Sequence, residues 1–131
     1  MTESGYGSIE YGIGGYGIDI KGCLITPISP VQDEIGVALD SKITLTIEDE
    51  DLVRSETIVV EVDRGSGFET AFRYIDSPQF KTGWDGPASD VSESDGKYTL
   101  VIDPTSDFSY STVVQVRVTA ADYTGNPERL P

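Results

Sequence analysis

The residues able to do chemistry in this 131-residue chain are almost all carboxylates: 23 Asp and Glu, against one cysteine and no histidine. Without histidine the commonest general base and the commonest zinc ligand are missing, and with Cys23 alone no tetrahedral nitrogen and sulfur site can be assembled. Ser-His-Asp, Cys-His and zinc chemistries are therefore excluded. Carboxylate pairs remain, since glycoside hydrolysis needs only two acids, but among 23 acids no pair is singled out by spacing. No Walker loop is present, and no GxGxxG follows a strand and opens a helix. The chain is expected to be no enzyme and to use no cofactor. Oxygen-only chemistry leaves calcium, for which Asp33, Asp49, Glu50, Asp51 and Asp122 come into question because calcium accepts carboxylates in flexible geometry. Their spacing is not that of an EF-hand, and acidic turns are ordinarily just solvated. Asp49, Asp51 and Asp122 are weak candidates, and no metal is expected.

Two other sets of residues suggest contact with a partner. Tyr6-Gly7, Tyr11-Gly12 and Tyr16-Gly17 repeat at a spacing of five residues, with Ile9 and Ile13 between them and Ile18 and Ile20 just after. Glycine gives up much backbone freedom on ordering, whereas tyrosine offers a large amphipathic contact with few rotatable bonds. The pattern reads as an extended arm over residues 1–22, held by another molecule through Tyr6, Tyr11, Tyr16, Ile13 and Ile18; the plain alternative is a disordered Gly-rich tail. Trp84, with Phe80 nearby, is a candidate partner anchor in a loop, because tryptophan is enriched at interaction hot spots. The competing reading has Trp84 fold back onto its own core.

A formal charge of −14 repels phosphate backbones and anionic lipid surfaces, so neither nucleic acid nor membrane is an expected partner. No apolar run is long enough to cross a bilayer as a helix, and the start lacks the basic and apolar stretches of a signal peptide. Synthesis in the cytoplasm is expected. Cys23 reads as a small buried hydrophobe.

The elements that must position these residues are strands. From residue 23 to 131 the pattern is apolar alternation with a period of two. Leu24 to Ile28, cut by Pro27 and closed by Pro30, predicts an edge strand. Lys42 to Glu48 puts Ile43, Leu45 and Ile47 on one face, and Thr57 to Asp63 does the same with Ile58, Val60 and Val62. A single helical turn is expected over 48–53. Arg64-Gly65-Ser66-Gly67 is a turn into Phe68 to Tyr74, where Phe68, Phe72 and Tyr74 share a face. Residues 76–96, rich in Ser, Asp, Gly and Pro, read as a long loop. Tyr98, Leu100 and Ile102 mark a fifth strand, and Val114, Val116, Val118 and Ala120 the core face of the longest one. Six strands and almost no helical periodicity predict an all-β, two-layer sandwich.

Ser29-Pro30, Gly36-Val37, Asp40-Ser41, the Ile43-Leu45-Ile47 strand, Asp103-Pro104 with Phe108, the Val114-Val116-Val118 strand, Ala121-Asp122 and Gly125-Asn126 together resemble the bacterial Ig-like domain over residues 27–126. Such domains recur in bacterial surface proteins and tailed-bacteriophage virion proteins, and the Tyr-Gly repeat is similar to N-terminal segments of some phage structural proteins. The resemblance implies an Ig-like two-sheet β-sandwich with an extended Gly/Tyr-rich N-terminal arm. It also implies a non-enzymatic role in a virion made in the host cytoplasm, either as a tail protein or as capsid decoration. The partners would be other virion structural proteins, held through the arm, with a homo-oligomer within the assembly as a further possibility. The alternative is a carbohydrate- or surface-binding adhesion module using the Trp84 loop. The family pattern is broken at the end, where a final strand is expected and only Pro127-Glu128-Arg129-Leu130-Pro131 follows. The edge this leaves open is covered by residues 13–20 of the same chain, by a short irregular tail, or by another molecule.

Overall fold

The computed structural model describes residues 5–13, 23–30, 34–48, 53–75, 77–109 and 112–122. Ten strands are named: β1 (Gly5–Ile13), β2 (Leu24–Ser29), β3 (Ile35–Ala38), β4 (Ile43–Glu48), β5 (Val53–Asp63), β6 (Phe68–Ile75), β7 (Ser77–Phe80), β8 (Asp90–Ser94), β9 (Lys97–Ile102) and β10 (Val113–Asp122). They form an all-β sandwich of two sheets, one in the order β3-β1-β10-β5-β6-β7 and the other β2-β4-β9-β8. The all-β two-layer sandwich expected from the alternation is therefore the observed one, and it is consistent with the Ig-like form that the resemblance implies.

The core lies between the sheets because the alternating strands present one apolar row each. Ile43, Leu45 and Ile47 of β4 and Leu100 and Ile102 of β9 meet Ile58, Val60 and Val62 of β5 and Val114, Val116 and Val118 of β10, all buried. Cys23 is buried with them, as its small apolar side chain suggests. Aromatic rings link the layers at one side: Phe72 meets Tyr74 edge-on at 5.5 Å, and Tyr74 meets Tyr98 of the opposite sheet at 6.4 Å.

Three departures from the sequence-based expectation have local causes. Phe68 and Phe72 do not share a face. The pairing of β5 with β6 passes from Val60↔Phe72 to Glu61↔Thr70, so Ala71 is an extra residue and reverses the facing of the strand on either side of it. Phe72 is buried and Phe68 lies 39% exposed on the outer face. Next, the long loop of 76–96 contains the edge strands β7 and β8, whose residues are mostly exposed on both sides and so carry no alternation to detect. The third concerns the expected turn at 48–53: its end, Val53, already belongs to β5, and residues 49–52 lie outside the described residues.

Turn chemistry follows the residues present. Asp63 accepts backbone hydrogen bonds from Gly65 and Gly67 at 2.7 and 3.0 Å and so closes the β5–β6 hairpin. Asp95 and Gly96, both at positive φ, make the two-residue β8–β9 turn that an Asp-Gly pair favours.

Candidate functional site

The larger sheet carries the feature with most bearing on function. Its β10 edge is covered from within the same chain, by β1 at residues 5–13 and not by the expected 13–20. β1 runs parallel to β10, from Ser8↔Val113 to Ile13↔Val118, and antiparallel to β3 through Gly5↔Ala38, Tyr6↔Val37 and Ser8↔Ile35. Every other pairing between named strands is antiparallel. Among the described residues β3 joins the sheet through β1.

The boundary at residue 22 is accordingly corrected for residues 5–13, which form a strand of the sandwich and not an arm outside it. The physical reason is the Ser8-Ile9-Glu10-Tyr11 alternation inside the Tyr-Gly repeat. Ile9 is fully buried and Tyr11 is 4% exposed, while Glu10 faces solvent. Burial of two such side chains contributes about 1.5–3 kcal/mol each. The Tyr11 hydroxyl donates to the Pro30 carbonyl at 2.6 Å, so the buried polar tip is satisfied and β1 is tied to the chain following β2. Gly7 and Ser8 donate to the Thr112 carbonyl and Ile9 to that of Glu34. Tyr11, expected to anchor a partner, is thus committed to its own core. Of the remaining arm residues, Tyr6 and Ile13 lie in β1 by their backbone pairing, and Tyr16 and Ile18 fall outside the described residues.

The outer face over β3, β1 and β10 is partly apolar. Ile35 and Val113 flank Ser8 in register and are 77% and 46% exposed. Further along the same face, the Arg117 guanidinium lies 4.1 Å from the centre of the Phe68 ring. It donates to both carboxylate oxygens of Glu61, Nε to Oε1 at 3.0 Å and Nη2 to Oε2 at 3.1 Å. That hydrogen bonding raises the Arg117 pKa above its ordinary value, against a smaller opposing effect of desolvation.

The loop around Trp84 has the opposite character. Trp84 is completely buried, so of its two readings the one in which it folds back onto its own core is the observed one, and it is no exposed partner anchor. Its Nε1 donates to Glu69 Oε1 at 2.7 Å, the Arg64 guanidinium covers its ring at 4.2 Å, and Phe108 packs against it at 6.3 Å. Phe80, half-buried, rests on Phe72 at 4.8 Å. The loop is pinned to the end of β9: Asp103 Oδ2 accepts from the Ala88 amide, Ser89 Oγ donates to the Trp84 carbonyl and accepts from the Asp103 amide, and the Gly86 amide donates to the Asp103 carbonyl. A tryptophan in a Gly/Pro/Asp-rich stretch gave no periodicity from which this inward turn could be read.

Among the described residues no three Cys, Asp or Glu side chains gather into a group that could hold a metal ion. Of the weak calcium candidates, Asp49 and Asp51 lie outside the described residues, and Asp122 ends β10 opposite Val53. No family model matches this chain, and no curated protein and no solved structure matches it either.

Proposed function

We propose that the chain is a non-enzymatic structural and interaction module of a larger assembly, and that this assembly is a tailed-phage virion. The resemblance to bacterial Ig-like domains points to the virion. One observation carries the interaction role: Ile35 of β3 and Val113 of β10, both exposed on the outer face on either side of Ser8 of β1, on an otherwise strongly acidic protein. Exposed apolar residues clustered in register are suited to burial against a neighbour, whereas single scattered ones are ordinary surface. Attachment through Tyr11 gives way in this reading to attachment through that face of the larger sheet, with other virion structural proteins as partners. A surface-binding adhesion role finds less support, because the tryptophan it would use is inside the core.

Purification of the native particle tests this directly. The chain is expected in stoichiometric amounts, with cross-links from the β3–β1–β10 face to a neighbouring protein. Its absence from particles, or glycan binding by the isolated protein, would favour another role.

A further inference from the structure

We propose that the edge of β8 takes up an extended basic segment of another protein, which pairs with the β8 backbone and sets a lysine or arginine against Glu93 and the rings of Tyr74 and Tyr98. Among the described residues the two sheets end in four edge strands, β3, β7, β2 and β8. Three are blunted by their backbone: β7 contains Pro78, β2 contains Pro27, and β3 has Gly36 at a φ of 61°. β8 has neither device, and its protection is charge alone, since Asp90 and Glu93 repel an acidic strand and admit a basic one. Its two-residue turn closes on the pair Ser94↔Lys97. Ser94, Ser92 and Asp90 therefore exchange backbone hydrogen bonds with β9, and the alternate residues Val91 and Glu93 turn their N–H and C=O groups outward. Those groups are a template for one more strand.

The side chains beside that template select a cation. Glu93 is in register with Tyr98 of β9, and Tyr74 of the opposite sheet stands almost perpendicular to Tyr98, the rings 83° apart with their centres 6.4 Å from each other. Both rings are half-buried and Glu93 is exposed. Two ring planes at right angles beside a carboxylate make a corner suited to an ammonium or guanidinium group. Glu93 Oε2 accepts from the Gly96 amide at 2.7 Å, and among the described residues no basic side chain pairs with Glu93 or stacks on either ring. Arg73 and Lys97, the basic neighbours of the two tyrosines in sequence, lie on the other faces of their strands because side chains alternate. A residue paired opposite Glu93 has its Cβ about 5 Å from that of Glu93 and on the face that Tyr98 shares. Two positions along, the partner meets the half-buried Val91. The fitting segment thus carries a lysine or arginine two residues from an apolar one. A second copy of this chain is the wrong occupant, since β8 holds no basic residue and the chain's formal charge is −14.

The test uses the full-length protein and a blocked, fluorescently labelled peptide, Thr-Val-Thr-Arg-Thr-Val-Thr, whose arginine has a valine two residues away on either side. Saturable binding is expected in anisotropy titrations at low salt, with NMR shifts centred on the amides of Val91 and Glu93 and the rings of Tyr74 and Tyr98. Glu93→Gln keeps an acceptor for the Gly96 amide but removes the charge, and it should weaken binding at least about tenfold, as should glutamine in place of the peptide's arginine. Pairing is expected to be antiparallel, as it is throughout this sheet. Methylation of the arginine amide nitrogen, which then faces β8, should abolish binding, whereas methylation of an adjoining threonine nitrogen should not. No binding at about 1 mM peptide, an affinity of Glu93→Gln within about twofold of the parent, or shifts that map to the β3–β1–β10 face would overturn the proposal. The outcome is separate from the virion reading: a chain found in particles that does not bind the peptide leaves that reading standing, and a chain that binds it but is absent from particles leaves the β8 site.

Discussion

Replacing Ile9 with alanine asks whether the start of the chain is part of the sandwich or merely attached to it. Ile9 is fully buried and in register with Val114, itself fully buried on β10. Truncation of a buried isoleucine to alanine costs about 2–5 kcal/mol, from the transfer free energy of the lost methyl and methylene groups plus the cavity they leave. Since β1 is a thin strand flanked by β3 and β10, partial collapse of the site is feasible, and the lower half of that range, about 2–3 kcal/mol, is expected. With a urea m-value on the order of 2 kcal/mol per molar, the unfolding midpoint should fall by roughly 1–1.5 M. Fluorescence of Trp84, the one tryptophan of the chain and fully buried, reports the transition. Glu10→Ala, on the same strand but facing solvent, is the control and should stay within about 0.5 kcal/mol of the parent. An unmoved midpoint for Ile9→Ala, in a protein of unchanged far-ultraviolet circular dichroism, would refute the internal-strand account and restore the idea of an arm held elsewhere.

Other outcomes follow from the loop and the aromatic row. Gly86→Ala places a Cβ 2.6 Å from the Asp103 carbonyl oxygen and 2.7 Å from its carboxylate, so the loop must shift; a loss of about 1–3 kcal/mol is expected, read as a drop in Tm, and an unchanged Tm would show that the loop is not pinned there. Glu69→Ala removes the acceptor of the Trp84 indole N–H and should cost about 1–2 kcal/mol and shift Trp84 emission to the red, with Glu69→Gln restoring much of both; an unaltered spectrum would contradict the bond. Desolvation by burial, with the nearby Tyr98 and Glu93 adding to it, raises the Tyr74 pKa above 10. The folded state therefore holds that proton more tightly than the unfolded one, so this contribution to stability is complete below about pH 10 and is lost as pH rises through the folded value. Alkaline titration followed by tyrosinate absorbance should lose a component that ionises above the ordinary tyrosine range in Tyr74→Phe, and an unchanged titration would contradict the assignment.

Strands with one dry and one wet face were legible because a period of two is a local property of the chain. Ile43-Leu45-Ile47, Ile58-Val60-Val62 and Val114-Val116-Val118 announce both their conformation and their buried side, and with them the all-β sandwich. Edge strands are a different case. β7 and β8 are wet on both faces, so nothing in their composition separates them from loop, although Asp95-Gly96 is a hairpin turn signal in its own right. The single extra residue Ala71 shows the limit within a strand, since one bulge moves Phe68 to solvent while Phe72 stays inside, and only pairing with β5 determines where the bulge falls.

The candidate site divides along the same line. Composition alone removed histidine-dependent catalysis, because an absent residue type cannot be supplied by folding. Two partner anchors, Tyr11 and Trp84, have the right chemistry for an exposed contact, yet both are interior. For Tyr11 the deciding fact is a β10 edge with no later strand among the described residues to cover it, and for Trp84 it is Glu69 and Arg64, brought to its indole from β6 and the preceding turn. An aromatic side chain gains free energy by leaving water whether the covering surface belongs to its own chain or to another. Its sequence neighbours state that it will be buried; only the tertiary structure, by placing a complementary surface within reach, decides by what.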